Sequence, residues 1–333
     1  MPSAISIENL NAGYLTETGG YIRVLRDVNL EVPEGVLMGL VGESGSGKST
    51  LANIAVGLVN PPLVVESGRV VIEGKYDIFS MSQEELNRLR GKVIAYVPQA
   101  AQNSLNPVFK VKRIVADILS AHNIDVESHM DLVLDALQEV GLARDRQVLE
   151  LYPFQMSGGM KQRLILAIAL MLDPRIVVMD EPTTGLDVVT QHEILKVIRR
   201  VQRERNLTML FISHDIAMMF QVVDYMAVMY AGEVVEEADY RTLLEDPHHP
   251  YTYLLLNSIP SIVKRGQKLA RLPGDFEGFA NLPPGCSLSS RCPFATDECR
   301  AQHPKLVTYS KGAYRCLRYP AWKKEAEGGR QVA

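Results

Sequence analysis

The residues best placed to do chemistry lie in Gly42–Thr50, GESGSGKST, where Gly42, Gly47, Lys48 and Ser49 occupy G-x-x-x-x-G-K-[ST] spacing. Glycines at such positions let backbone N–H groups converge on a phosphate chain without interference from a Cβ. Lys48 is expected to reach the outer phosphates of a nucleoside triphosphate, and the Ser49 hydroxyl to take a place on Mg²⁺. Ser44, Gly45 and Thr50 belong to the same expected cradle. An ordinary glycine turn capping a helix has no need of a lysine and a hydroxyl in this register.

Other reactive types stand further along. Asp180-Glu181 ends an apolar run, Ile176 to Met179. A carboxylate at the end of a buried strand beside a phosphate loop can hold Mg²⁺ through its water shell, and a second one can polarise an attacking water. His214 in Ser213-His214-Asp215 is expected at another strand end, within reach of a γ-phosphate. Ser157-Gly158-Gly159 opens an apolar helix and offers a second anion site. Tyr14 ends the first strand, where an aromatic ring can stack on adenine.

The elements that must position these residues are legible from periodicity. Val36 to Val41 reads as a buried strand, and Ser49 to Val59 carries Leu51, Ile54, Ala55 and Leu58 on one helical face. Ile5, Ile7 and Leu10 alternate with polar residues, as do Val24, Val28, Leu30 and Val32, with a hairpin loop expected over Asn11 to Ile22. Gly68 to Glu73 and Val93 to Val97 are further strands, and Ser82 with Glu85 forms a capping box between them. From Ala100 to about Leu151 the strand pattern stops. Asp131 to Val140 has helical spacing with Gly141 as its C′ residue, and the whole of about 100–172 reads as a helical insertion. Arg175 to Met179, Thr208 to Ile212, Tyr225 to Tyr230 and Glu233 to Glu237 are strands, and Asp187 caps a helix from Val188 to Arg203.

The chain as a whole limits the function classes. Its 333 residues suit one large domain and a smaller one, and 22% charged residues is ordinary for a globular protein. A net charge of −4 gives no basic footprint for nucleic acid. The longest apolar run, Leu164 to Leu172, is half of a membrane span, and Met1 to Leu10 reads as a strand and not as an export signal. Membrane association is therefore expected through a partner.

In their order these motifs resemble the ATP-hydrolysing subunits of ABC transporters over roughly residues 5 to 240. The resemblance implies an α/β P-loop NTPase core with an antiparallel β subdomain. Gly42–Thr50 would be the Walker A loop, and Gln99 the Q-loop glutamine, a further Mg²⁺ ligand beside Ser49 and Asp180. Ser157 to Gly159 would belong to the signature motif, with Ser157 and Gly159 meeting nucleotide. Asp180 would be the Walker B aspartate and Glu181 the catalytic glutamate. Asp187 would lie in the D-loop, His214 would be the switch histidine and Tyr14 the adenine-stacking aromatic. ATP and Mg²⁺ are thus the implied ligands. The implied partners are a second ATP-binding chain paired head to tail, two transmembrane permease subunits and, indirectly, an extracellular solute-binding protein. The place implied is the cytoplasmic face of the membrane.

Ser104-Leu105-Asn106-Pro107, SGGMKQR, EPTTGLDV and His249-Pro250-Tyr251-Thr252 are similar to the oligopeptide/dipeptide importer branch, some members of which carry oligosaccharides or metal complexes. A soluble ABC ATPase of DNA repair or translation is a rival. It is disfavoured because no long insertion separates Gln99 from Ser157 and the chain has one such domain.

Beyond Pro260 the composition changes, and residues 261–333 are expected to form a small irregular domain after an ATP-binding domain of residues 1–260. The chain's four cysteines, Cys286, Cys292, Cys299 and Cys316, all lie there. Their clustering in a chain without an export signal favours metal over disulfides, but the spacings fit neither the common zinc patterns nor a ferredoxin run. The family resemblance implies a [4Fe–4S] cluster, with Zn²⁺ and metal-free cysteines as alternatives. Arg291 and Arg315 are expected to offset the cluster's negative charge. Because no cysteine is near the ATPase motifs in sequence, the tail is expected to leave ATP binding alone.

Overall fold

The computed structural model describes residues 2–143, 146–259, 272–276 and 278–327. Two long strands, β1 (Ser3–Leu15) and β2 (Tyr21–Pro33), precede β3 (Leu37–Val41), the glycine-rich loop and helix α1 (Lys48–Ala55). Strands β4 (Leu63–Ile72) and β5 (Tyr76–Asp77), helix α2 (Gln83–Leu89) and strand β6 (Ile94–Val97) follow. A helical stretch comes next, with α3 (Val111–Ala121), α4 (Met130–Glu139), α5 (Arg146–Glu150) and α6 (Gly158–Leu170). Strand and helix then alternate through β7 (Ile176–Asp180), α7 (Val188–Arg205), β8 (Thr208–Ser213), α8 (Ile216–Met219), β9 (Tyr225–Tyr230) and β10 (Glu233–Asp239). Helices α9 (Tyr240–Glu245), α10 (Pro250–Asn257) and α11 (Asp297–Ala301), strands β11 (Val307–Tyr309) and β12 (Gly312–Tyr314), and helix α12 (Ala321–Glu327) complete the described chain.

The large sheet has the order β11-β12-β10-β9-β3-β8-β7-β6. Strands β6, β7, β8, β3 and β9 run parallel within it. Every residue of β3, β7 and β8 is buried, as expected for near-continuous apolar strands covered on both faces. Register places Val41 beside Ser213 and Asp180 beside Ile212. The glycine-rich loop, Asp180-Glu181 and His214 therefore leave the carboxyl ends of three adjacent strands, where ligands of open α/β sheets bind.

An antiparallel sheet of order β2-β1-β4-β5 lies against α1. Ile5, Ile7 and Leu10 of β1 and Val28, Leu30 and Val32 of β2 share one buried cluster with Leu51 and Ile54 of α1. Here the expected loop over Asn11 to Ile22 is mostly strand. Tyr14 pairs with Ile22 and Leu15 with Tyr21, which leaves only the turn between them. Register shifts at Ile7/Leu10, Leu10/Ala12 and Ala12/Gly13 break the two-residue alternation, and the polar side of the ribbon faces outward. Polarity there marks an exposed strand face and not a loop.

The helical stretch buries Val115 and Leu119 of α3, Val133 and Leu137 of α4, and Leu164 of α6 in the main core. Gly141 ends α4 at φ 79°, and its N–H returns to Gln138 O at 2.9 Å. Ser82 and Glu85 form the reciprocal capping box at α2.

The C-terminal residues are built into the same sheet. β12 pairs antiparallel with β10, Glu236 opposite Tyr314 and Ala238 opposite Gly312. A Cβ on Gly312 would lie 1.9 Å from Glu237 O, so only glycine lets the two strands meet. Trp322 of α12 is fully buried and donates its indole N–H to His248 O at 3.0 Å. Phe294 and Tyr253 flank it with ring centroids 5.4 and 5.3 Å away. The expected boundary between residues 260 and 261 lies outside the described residues.

Replacing this indole tests whether the C-terminal end belongs to the core. Trp322→Ala should cost about 3–5 kcal/mol, as for other buried aromatic truncations. Denaturant unfolding of the full chain should show the loss, and an unchanged midpoint would mean that α12 is not packed as described.

Candidate active site

The glycine-rich loop folds around the ammonium of its own lysine. Lys48 Nζ donates to Gly42 O at 2.9 Å, Glu43 O at 2.8 Å and Ser46 Oγ at 3.4 Å. Burial pushes its pKa down, against the opposing pull of Glu181, Asp180 and Glu43. Gly42 must be glycine because a Cβ there would stand 2.1 Å from Met229 O. Gly47, at φ 103°, turns the chain into α1. Ser44 and Gly45 are exposed at the lip of the loop, and Thr50 is buried beneath it. The Thr50 hydroxyl lies 3.0 Å from Tyr14 Oη, so the aromatic expected over adenine is tied to the first turn of α1.

Asp180 is 1% exposed, and burial raises its pKa against the hydrogen bond from the Ser49 hydroxyl. Its Oδ1 is buried with no hydrogen-bond partner. A serine hydroxyl beside a carboxylate with one oxygen unused is a donor set that fits a hard divalent cation such as Mg²⁺.

Glu181 follows at φ 48°, a strained conformation for a side chain of this size, with its N–H on Ile212 O at 3.0 Å. His214 Nδ1 lies 2.9 Å from its Oε1, and Oε2 accepts from Thr184 Oγ1 at 2.9 Å and from Gln99 Nε2 at 3.3 Å. Burial pulls this carboxyl up, but the hydrogen bonds from His214 and Thr184 outweigh it and hold the pKa below the ordinary value. Glu181 is thus a carboxylate fixed in direction by its hydrogen bonds, beside Lys48 and Asp180. Gln99, expected near the metal, here bonds to Glu181. Thr184 was not anticipated, because a threonine in a turn carries no distinguishing signal.

Ser157, Gly159 and Asp187 gather elsewhere. The Ser157 hydroxyl accepts from Met160 N–H and caps α6, and the Asp187 carboxylate caps α7 through Thr190. A Cβ on Gly159 would meet Thr190 Cγ2 at 2.8 Å, and one on Gly158 would meet Leu186 at 3.3 Å. These residues form one exposed ridge, continued by Val188 and Val189, which are 79% and 75% exposed.

The tail requires corrections. Among the described residues no group of three or more His, Cys, Asp or Glu side chains stands close enough to hold a metal ion, so Cys286, Cys292, Cys299 and Cys316 do not form the expected metal centre here. All four are free thiols. Burial pushes the Cys286 and Cys292 thiols up to about 12 and that of Cys316 up to about 11, and nearby cysteines add to each shift. Cys286 and Cys292 pack as small apolar groups against the main core. The donor chemistry suits a thiolate cluster, but the spacing does not.

The two arginines also differ from expectation. Arg315 donates to Asp27 Oδ2 at 2.8 Å, and Arg291 pairs with Glu43 of the glycine-rich loop at 2.8 Å. The tail therefore touches the ATPase motifs directly. Sequence distance concealed this, since Glu43 and Arg291 are 248 residues apart.

Comparisons with known proteins bear on the family. The family model described as ABC transporter matches residues 25–184, and that of the oligopeptide/dipeptide transporter C-terminal region matches residues 235–299. The dipeptide transport ATP-binding protein DppD of Caldanaerobacter subterraneus is 39% identical over 92% of this chain and 94% of its own. The oligopeptide transport ATP-binding protein AppD of Bacillus subtilis is 35% identical over 99% of this chain and 100% of its own. Among solved structures, the dimeric bacterial ABC transporter cassette MJ0796 aligns with a TM-score of 0.61 at 28% identity, over 71% of this chain and 98% of that one. A glycine-rich loop after β3, with a buried aspartate and a tethered glutamate at the end of β7, together with these relatives, place the chain in the family of ATP-binding subunits that energise oligopeptide and dipeptide ABC importers.

Proposed function

We propose that this chain hydrolyses ATP with Glu181 as the base that orients and deprotonates the attacking water. The observation that carries the reading is the tether of Glu181 to His214, Thr184 and Gln99 beside Lys48 and Asp180. The water oxygen bonds to the γ-phosphorus, its proton passes toward Glu181, and the β–γ bridging bond breaks with its electron pair leaving on ADP. Lys48 offsets charge on the outer phosphates, and His214 holds the γ-phosphate against the water. Ser49, Asp180 and Gln99 would hold Mg²⁺, which would supply positive charge against the phosphates. Ser44, Gly45, Gly47 and Thr50 line the phosphates, and Tyr14 stacks on adenine.

Glu181→Gln should keep ATP binding and lower turnover roughly 10²-fold or more in the assembled transporter. Lys48→Ala should instead lose nucleotide affinity. Unchanged turnover in Glu181→Gln would remove the glutamate from the chemistry.

The exposed ridge of Ser157, Gly159, Asp187, Val188 and Val189 supports head-to-tail pairing with a second ATP-binding chain, itself or a homologue. Each nucleotide would then lie between one Walker A loop and the partner's signature motif. No helix among the described residues is long and apolar enough to cross a membrane, in keeping with a peripheral place on the cytoplasmic face.

Val108, Phe109 and Phe154 are exposed on the helical stretch that follows Gln99, and Phe154 stacks on Tyr152. An apolar patch beside the loop that contacts Glu181 supports docking of a membrane subunit there. Phe154→Glu should uncouple transport from hydrolysis, leaving ATPase activity within about twofold while import falls tenfold or more, about the penalty for charging a buried contact. Full import by this variant would place the membrane contact elsewhere.

For the tail, the family resemblance and the gathering of all four cysteines in one segment support a [4Fe–4S] cluster, formed once Cys286, Cys292, Cys299 and Cys316 lose their protons and draw together. Anaerobically purified chain should carry about four irons. One zinc would replace the cluster, and no metal would leave the cysteines as apolar packing.

A further inference from the structure

Glu43, the first variable residue of the phosphate loop, is held from three sides. Its N–H donates to Tyr251 Oη at 2.9 Å, and its carbonyl accepts from Lys48 Nζ at 2.8 Å. Its carboxylate receives both terminal nitrogens of Arg291, Nη1 on Oε2 at 2.8 Å and Nη2 on Oε1 at 3.0 Å. Two of the three holders therefore come from beyond the sheet, Tyr251 from α10 and Arg291 from the cysteine-bearing tail. Arg291 is itself immobilised. Its Nε donates to Pro273 O and its Nη2 to Gly274 O, each at 2.8 Å, and Nη1 reaches Tyr230 Oη at 3.3 Å. The guanidinium side chain is 9% exposed. Such a planar fork, with its donors fully committed, is a geometry that a lysine does not reproduce.

The chemistry at this point is unusual for a polyanion site, because a carboxylate stands in the loop that must receive phosphates. Unpaired, Glu43 would repel a triphosphate and leave its own peptide with one anchor fewer. Paired, its charge is cancelled and the peptide that bears the Lys48 acceptor is fixed before nucleotide arrives. We propose that Arg291 is a positioning residue for the phosphate loop, through which the C-terminal segment sets the affinity for ATP. The inference rests on reading residues 42–50 as the nucleotide site. It leaves the chemical step alone, since Glu181 and His214 depart from other strands.

The rival account is that the pair merely fastens the tail. KM for ATP and kcat, measured on the full chain assembled with its membrane and ATPase partners, separate the two. Arg291→Gln should raise KM about tenfold, the scale of a lost charge-assisted pair, with kcat within about twofold. Arg291→Lys should recover only part of the loss. The double variant Arg291→Gln/Glu43→Gln should return KM to within about threefold of the parent, because no carboxylate is left unpaired. Arg315→Gln, which loosens the tail at Asp27 instead, should leave KM unchanged. Unchanged KM in Arg291→Gln, a double variant no better than the single, or an equal rise in Arg315→Gln would each overturn the proposal. Undiminished ATP affinity in Lys48→Ala would instead overturn the reading of the loop itself.

Discussion

The site depends on keeping one ammonium out of water. Lys48 is 6% exposed, and a buried cation is tolerated only when oxygens surround it. Two carbonyls and a hydroxyl of its own loop supply that shell, with three carboxylates close enough to act on it. The loop can present those carbonyls only by curling tightly past Met229, which excludes any side chain at position 42. Asp180 and Glu181 are near only because β7 and β8 run parallel to β3 in a register that levels their ends. Loop, glycines and strand register therefore answer to one electrostatic constraint, and the same oxygens define the space that phosphates would enter.

Much of this arrangement was legible in the amino-acid order. The apolar runs of β3, β7 and β8 announce strands buried on both faces, and Gly47-Lys48-Ser49 fixes where the first of them stops. Asp180-Glu181 directly follow an unbroken apolar run, and His214 follows another with only Ser213 between, so both could be placed at strand ends. The hydrogen bonds that aim Glu181 were less visible, since Gln99 and Thr184 owe their roles to the meeting of distant segments. The β1–β2 ribbon misled because an exposed strand face has the composition of a loop. Strands β11 and β12 and helix α12 were invisible because three-residue strands and one buried tryptophan leave no period to detect.

The tail carries the largest gap between order and arrangement. Its cysteines read as a self-contained metal module, whereas its arginines reach across to Asp27 and Glu43. Neither guanidinium has a local partner pattern, so no spacing rule could link them to the loop or to β2. His249-Pro250-Tyr251-Thr252 gains a physical reading from the same contacts. His249 caps α10 and Tyr251 hydrogen-bonds the loop, so a stretch noticed only for its resemblance proves to be a strut under the glycine-rich loop.

The pairing of β12 with β10 has a consequence for the integrity of the sheet. A sheet margin with unpaired backbone groups invites strands from other molecules. As built, both margins are stubs, β6 with four residues and β11 with three. Removing the C-terminal hairpin would move the margin to β10, seven residues long and carrying Val234, Val235 and Ala238. The hairpin thus serves as a selvedge, finishing the fabric of the sheet so that neighbouring molecules find no thread to join.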